Sequence, residues 1–380
     1  MSDIRSLMQA GRLDEAVAQC EARLSEAGEE AETLVLLGYA LAQQGRLSAA
    51  EKVLERLFAV APDHEDGKRL AARVASLHGE WRDHPYTQSL IALRATHLDY
   101  PSYVGIETVG RCNANCTFCP HGDLDRRFES MSDALFAKIL TDLQAIPPSH
   151  PLTIYPNFVS EPFMDKQIFE RLGAINQALP QAKLMIYSNL NVAPKGFLER
   201  LVKVRNLVGI NVSLNFSNRQ DYKAGMGIEF SRTVEHIVKV MEAHRERPFM
   251  EFPIALSRVM DDSPRDTQFV EECRTLFAGF EEHKDYTLIV KRRSDWMGQA
   301  GDHHSAIPYS LPCKAWFDLT IMCTGQVPFC CMDAKGQFPL GDVTTSSVLE
   351  VYNVPALRNL RESQVRRENI TPCNRCPVIQ

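Results

Sequence analysis

Cysteine is the residue type in this sequence whose spacing points most directly to chemistry. The chain has 380 residues and 11 cysteines, most of which fall into two groups. Cys112, Cys116 and Cys119 form the first group, separated by three and then two residues. The second group lies in the C-terminal region and consists of Cys313, Cys330, Cys331, Cys373 and Cys376. In a cytosolic chain such clustered thiols are reduced, so they predict metal binding rather than disulfide bonds.

The first group is suited to an iron–sulfur cluster with one open iron. Three thiolates from one loop can bind three corners of a [4Fe–4S] cube and leave the fourth iron for a non-protein ligand. The group follows the first predicted strand, and the aromatic Phe118 precedes its last cysteine. The alternatives are a chance cluster and a structural zinc site, for which His121 is a nearby fourth ligand. Spacing and position favour the iron–sulfur cluster.

The second group supplies enough thiolates to close a whole cube. A CxxC pair, Cys373 and Cys376, combines with two more distant cysteines to give four ligands and no open iron. Cys330 and Cys331 compete for one of these ligand positions. Structural zinc is the alternative here too, because CxxC pairs are common in zinc ribbons. The remaining cysteines are predicted to be small buried side chains.

The elements that must position these cysteines change along the chain. Over residues 1–80, Gly11-Arg12-Leu13 recurs at an offset of 34 residues, which is typical of stacked helix pairs. Over residues 85–300, short β-rich runs alternate with amphipathic segments, which predicts βα units around a parallel sheet with its chemistry at the C-terminal strand ends. The predicted strands are 103–108, 152–155, 183–187, 208–214, 251–257 and 287–291. Residues 301–380 are turn-rich, and a metal site is expected to order them.

The first cysteine motif resembles that of the radical S-adenosylmethionine (radical SAM) enzymes. The resemblance implies that SAM chelates the open iron and is split by one electron into methionine and a 5'-deoxyadenosyl radical, which takes a hydrogen atom from substrate. Polar residues after the second, third and fourth strands also match the family, although Val159 and Ser160 stand where glycines are usual. The SAM contacts that this implies are Phe118, Ser160, Glu161, Ser188, Asn189 and Ser213. No catalytic residue is identified.

Two further resemblances complete the predicted architecture. Residues 1–80 resemble tetratricopeptide repeats. The C-terminal layout resembles the auxiliary-cluster extension called SPASM or, in its short form with one cluster, twitch. The predicted fold is therefore α/β, a partial (β/α) barrel of the radical SAM type at 85–300, with an N-terminal α-helical repeat domain at 1–80 and a small Fe–S-bound domain at 301–380. The implied cofactors are a SAM-binding [4Fe–4S] cluster, a second auxiliary [4Fe–4S] cluster and SAM.

The resemblance to relatives with a single auxiliary cluster implies an enzyme that dehydrogenates or epimerises a small oxygenated substrate such as a sugar or aminocyclitol. Maturation of a ribosomally made peptide by the same radical chemistry is the alternative, and a non-catalytic repeat adaptor with structural clusters is a third hypothesis. The resemblance also implies an external one-electron reductant of the flavodoxin or ferredoxin type, and the repeats predict a possible protein partner. The net charge of -6 argues against nucleic-acid partners or a polybasic membrane anchor. Because the N-terminus lacks an apolar signal region and no apolar run approaches 18 residues, a cytoplasmic protein is expected.

Overall fold

The chain forms two compact units. A computed structural model describes residues 2–44, 46–294, 296–300, 311–363 and 366–376. Of these residues, those up to Leu93, those at 311–314 and those from Ser363 onward make up the first unit, and the others make up the second. Among the described residues, no helix combines the length and the apolar character that a membrane span requires.

The N-terminal region is entirely helical, and its helices are α1 (Ser2–Gln9), α2 (Leu13–Ala27), α3 (Ala31–Gln43), α4 (Leu47–Val60), α5 (Glu65–Asp83) and α6 (Pro85–His97). Ala16 and Ala50 occupy equivalent positions of the 34-residue repeat, and both are fully buried because they lie where neighbouring helices meet. Gly38 allows α5 to approach α3 closely, since a Cβ atom there would lie 2.7 Å from the side chain of Leu70. The predicted α-helical repeats are confirmed.

The second unit is built on a parallel sheet of seven strands, in the order β6-β5-β4-β3-β2-β1-β7. The strands are β1 (Tyr103–Ile106), β2 (Thr153–Tyr155), β3 (Lys183–Ser188), β4 (Leu207–Ser213), β5 (Ile254–Val259), β6 (Tyr286–Lys291) and β7 (Asp318–Ile321). Every neighbouring pair is parallel, so all the carboxyl ends lie at one edge of the sheet. The predicted parallel α/β fold is confirmed.

Helices follow most of the strands and cover the sheet. They are α7 (Asp133–Leu143), α8 (Ile168–Ala178), α9 (Phe197–Leu201), α10 (Arg219–Met226), α11 (Phe230–Glu246), α12 (Arg265–Leu276), α13 (Val348–Tyr352) and α14 (Pro355–Ser363). Helix α7 begins where the side chain of Ser132 accepts a hydrogen bond from the backbone N–H of Leu135. Its buried face, with Phe136, Ile139 and Leu143, then joins the apolar core under the sheet.

The sequence predicted six of the seven strands, with ends that differ from those observed by up to three residues. It did not predict β7, which lies in the turn-rich C-terminal region and pairs with β1. In the sequence, no amphipathic helical segment precedes β7, so the alternation that marked the other strands is missing there. After β7 the chain reverses at Gly325, whose φ of +97° favours glycine, into the antiparallel pair β8 (Gln326–Pro328) and β9 (Pro339–Asp342).

Candidate functional site

The first cysteine group lies on the loop that follows β1, at the carboxyl edge of the sheet. We call residues 111–119 the cysteine loop. Its backbone is fixed to the end of α10, because the N–H of Asn115 donates to the carbonyl of Met226 (2.9 Å) and that of Thr117 donates to the carbonyl of Gly225 (3.0 Å). The loop is therefore held by main-chain hydrogen bonds that do not depend on its thiols.

The three thiols of the cysteine loop share one half-buried environment. Burial raises the pKa of Cys112 to about 12, and the charge of Glu161 raises it further. Burial also raises the pKa of Cys116, as do the neighbouring charges of Cys119 and Cys112. The pKa of Cys119 is raised by burial as well. Deprotonating any one of these thiols would therefore cost free energy. For all three to become thiolates, a positively charged centre must lie beside them.

This donor set fits an iron–sulfur cluster in its chemistry, because iron supplies the positive charge that buried thiolates require. Within the described ranges, no three Cys, His, Asp or Glu side chains stand ready around a site for a single metal ion. His121, the fourth ligand of the zinc alternative, hydrogen-bonds through Nε2 to the carbonyl oxygen of Gly110 (2.8 Å). That bond places the ring proton on Nε2, so only Nδ1 remains as a ligand atom.

Glu161 is a buried carboxylate beside the cysteine loop, and its side chain is 1% exposed. It accepts hydrogen bonds from the hydroxyl of Ser188 (2.7 Å) and from the backbone N–H groups of Asn189 (2.7 Å) and Phe163 (3.1 Å). Burial raises the pKa of Glu161 to about 7, although these donors oppose the shift. Glu161 therefore joins the end of β3 to the segment after β2.

Asn189 extends this network to the cysteine loop. Its side-chain amide donates to the side-chain oxygen of Asn113 (2.9 Å) and lies 3.9 Å from the sulfur of Cys112. Its oxygen accepts the backbone N–H of Asn191 (2.9 Å). The structure thus brings together Glu161, Ser188, Asn189 and Cys112, which the sequence grouped only by resemblance.

The other implied SAM contacts lie at the same edge of the sheet. Phe118 is half-buried and packs against the main core. Ser213 is the last residue of β4 and is also half-buried. The hydroxyl of Ser160 is buried, and no hydrogen-bond partner for it exists among the residues that the structure describes.

A buried ion pair at the end of β1 was not predicted. Glu107 is fully buried, and its carboxylate contacts the guanidinium of Arg126 through Nε (2.6 Å) and Nη2 (3.1 Å). The same carboxylate accepts the backbone N–H groups of Val159 (3.3 Å) and Cys323 (3.2 Å), and Arg126 donates to the carbonyl of Ala334 (2.6 Å). The pair thus ties together the segments after β1, β2 and β7. An acidic residue within the predicted strand 103–108 was the signal available in the sequence.

The second cysteine group is divided between the two units. Cys330 and Cys331 follow β8 in the second unit, and the sulfur of Cys330 accepts the backbone N–H of Met332 (3.4 Å). Cys313, Cys373 and Cys376 belong to the first unit. Cys373 and Cys376 are buried in a short turn, where the N–H of Cys376 donates to the carbonyl of Cys373 (3.2 Å).

Comparisons with known families match both ends of the chain. Residues 313–377 match the SPASM family, an iron–sulfur cluster-binding domain, and residues 7–74 match a tetratricopeptide repeat family. The SPASM match spans all five cysteines of the second group and Cys323 as well. No curated protein matches the chain.

Solved structures resemble most of the chain at low sequence identity. The Streptococcus suis protein SuiB, solved bound to its precursor peptide SuiA, is 13% identical, with a TM-score of 0.53 over 92% of this chain and 86% of SuiB. BtrN, solved with AdoMet and 2-DOIA, is 13% identical, with a TM-score of 0.48 over 73% of this chain and 93% of BtrN. The protein anSMEcpe, solved with AdoMet, is 13% identical, with a TM-score of 0.49 over 72% and 82% of the two chains.

At this identity the comparison with SuiB, a radical SAM enzyme, establishes the fold alone. The chain therefore contains tetratricopeptide repeats and a SPASM iron–sulfur cluster-binding domain, and its central parallel sheet has the fold of the radical SAM enzymes.

Proposed function

We propose that this protein is a radical SAM oxidoreductase that removes a hydrogen atom from a small oxygenated molecule. The observation that supports this most is the cysteine loop, which holds three thiols in one half-buried environment at the carboxyl edge of the sheet. Cys112, Cys116 and Cys119 would hold a [4Fe–4S] cluster. When bound there with SAM, this cluster supplies the electron that releases a 5'-deoxyadenosyl radical for hydrogen-atom abstraction.

The residues around the cysteine loop orient it and limit its access to water. The Asn189 amide positions the loop through Asn113, and Glu161 fixes the backbone of Asn189 in turn. Both Glu161 and Asn189 are buried, so the network is fixed before any ligand arrives. Ser160, with its unsatisfied hydroxyl, and Phe118 at the loop itself are the groups we assign to SAM contacts. Ser188 and Asn189 act by positioning, because their polar groups are bound to Glu161 and to the cysteine loop.

The match of residues 313–377 to the SPASM family supports a second cluster, for which the sequence offers Cys313, Cys330, Cys373 and Cys376 as ligands. Between the two adjacent cysteines, Cys330 is the better ligand candidate because its sulfur already accepts a backbone N–H, a bond that stabilises a thiolate. Burial is the main cause that raises the pKa of Tyr155 and of Tyr187, and the charge of Cys331 raises both further. The Cys331 thiol therefore lies near these two phenols of the sheet. When bound, the second cluster supplies an acceptor for the electron that remains after hydrogen-atom removal.

Anaerobic reconstitution with iron and sulfide tests the proposed activity. The full chain should take up about eight iron atoms and, after reduction with dithionite, convert SAM into 5'-deoxyadenosine and methionine, measured by mass spectrometry. A chain that takes up this iron and forms no 5'-deoxyadenosine would support the non-catalytic adaptor instead.

Peptide maturation is the second candidate, favoured by the tetratricopeptide repeats and by the fold likeness to SuiB, which was solved with a peptide. Sugars and aminocyclitols, and separately short peptides, are added to the reaction. Stimulation of 5'-deoxyadenosine formation by the small molecules alone supports our proposal, and stimulation by peptides alone supports maturation. A product two mass units lighter than substrate indicates dehydrogenation, whereas deuterium from heavy water at carbon indicates epimerisation.

Replacing Cys373 and Cys376 by alanine is expected to remove about half of the bound iron and to spare SAM cleavage at least in part. The reason is that the cysteine loop keeps its own three ligands. Substrate turnover should fall much further than SAM cleavage, because the electron acceptor is lost. Iron content and both activities are measured on the same sample, and Cys20→Ala, which removes a buried thiol of the repeats, is the control. Full iron content and full turnover in the double variant would show that no second cluster depends on these cysteines.

A further inference from the structure

A lysine reaches across the interior of the curved sheet. Lys291 is the last residue of β6, and its ammonium group lies 5.5 Å from the centre of the Tyr187 ring on β3. In a flat sheet, β6 and β3 would be separated by three strand spacings, about 14 Å. The contact agrees with the partial barrel of the radical SAM fold, in which the Lys291 side chain lies on the inner face of the sheet.

Further polar side chains lie between Lys291 on β6 and the opposite edge strand, β7. The Tyr187 ring meets the Tyr155 ring edge-on at 5.9 Å, and the Tyr155 hydroxyl lies 3.4 Å from that of Thr320 on β7. Gly105 makes room for this crossing, because a Cβ atom there would lie 2.4 Å from the Tyr155 ring. The interior thus presents one ammonium, two phenols and one alcohol.

Among the residues that the structure describes, no carboxylate balances the Lys291 ammonium. Across the part of the chain that the structure describes, no acidic side chain forms an ion pair with it, and burial lowers its pKa. Asp318 is the acidic residue on these strands. Its charge contributes to the raised pKa of Tyr155 and Tyr187, and its carboxylate accepts a hydrogen bond from the hydroxyl of Ser102 (2.6 Å). Lys291 is half-buried and its described contact is with an aromatic ring, so an anion from outside the chain would be a favourable partner for its charge.

We propose that Lys291, beside Tyr187, forms an anion-binding subsite inside the barrel, with Tyr155 and Thr320 lining the interior beyond it. We further propose that the substrate carries a carboxylate or phosphate group which this subsite holds. The assignment of this anion to the substrate rests on the proposed function. Lys291 provides the charge, and the hydroxyl of Tyr187 is a hydrogen-bond donor for the anion oxygens.

Inorganic phosphate and acetate serve as probes on the reconstituted full chain, followed by ³¹P and ¹³C NMR titration. Lys291→Met is expected to weaken binding of the preferred anion at least tenfold, and Lys291→Arg to restore most of it because the charge is kept. Lys203→Met, which removes an exposed lysine of the same unit, should leave binding unchanged. Tighter binding of phosphate than of acetate identifies a phosphorylated substrate, and the reverse identifies a carboxylate.

The proposal is overturned if the wild-type protein binds neither anion, or if Lys291→Met binds both as well as wild type does. It is equally overturned if Lys291→Met weakens the binding of SAM and SAM displaces the probe, since Lys291 would then serve the cofactor. SAM cleavage by the wild-type protein separates this test from the proposed function. If SAM is cleaved but Lys291→Met leaves anion binding unchanged, only the proposed subsite is wrong. If anion binding depends on Lys291 but SAM is not cleaved, only the proposed function is wrong.

Discussion

Replacing Cys112, Cys116 and Cys119 together by alanine is expected to abolish 5'-deoxyadenosine formation and to remove about half of the bound iron. The physical reason is that these thiols are the only protein ligands that we assign to the SAM-binding cluster. The cysteine loop itself should persist, since its hydrogen bonds to Met226 and Gly225 come from the backbone. Mass spectrometry of the reaction and iron analysis of the same sample measure both effects.

The matched control is Cys273→Ala, which removes a fully buried thiol of the same unit that belongs to neither cysteine group. It should keep its full iron content and its SAM cleavage. If the triple variant still produced 5'-deoxyadenosine, the assignment of the cysteine loop would be wrong.

Arg126→Met is expected to destabilise the second unit by about 3–5 kcal/mol, because it leaves the Glu107 carboxylate buried without its cation. Urea unfolding followed by tryptophan fluorescence measures this, since Trp316 is buried in the same unit. The neighbouring Arg127→Met is the control. Arg127 is more exposed and mainly contacts loop carbonyls, so its loss should cost less than about 1 kcal/mol.

A double variant, Glu107→Gln with Arg126→Met, should recover part of the lost stability. Glutamine carries no charge to bury and keeps an oxygen that can accept the backbone N–H groups of Val159 and Cys323. Equal stability of Arg126→Met and Arg127→Met would mean that the buried pair does not hold these segments together.

Much of the fold follows from local patterns in the sequence. Alternating apolar runs and amphipathic segments locate β1 to β6, because each strand is buried on a sheet that helices cover. β7 could not be predicted in this way, since it follows a turn-rich, cysteine-rich stretch and its partner β1 lies far away along the chain. The pairing of Glu107 with Arg126 is also invisible in sequence, because it depends on how two loops approach each other.

The position of the candidate site could be predicted from the sequence, but the hydrogen bonds between its residues could not. Sequence alone places Glu161, Ser188 and Asn189 at strand ends, where a cofactor would be expected. Only the structure reveals that the Ser188 hydroxyl and the backbone N–H of Asn189 donate to Glu161 and so fix the end of β3 to the segment after β2. Lys291 could be suspected from its charge at a strand end, yet its position over Tyr187 depends on the curvature of the sheet.

The central claim is that the cysteine loop holds an iron–sulfur cluster whose open iron binds SAM. Electron paramagnetic resonance of the dithionite-reduced Cys373→Ala/Cys376→Ala variant tests it most directly, because only the cluster of the cysteine loop should remain. The account predicts a reduced [4Fe–4S] signal that changes its g values when SAM is added. A signal that SAM leaves unchanged, or a variant with no cluster signal at all, would contradict it.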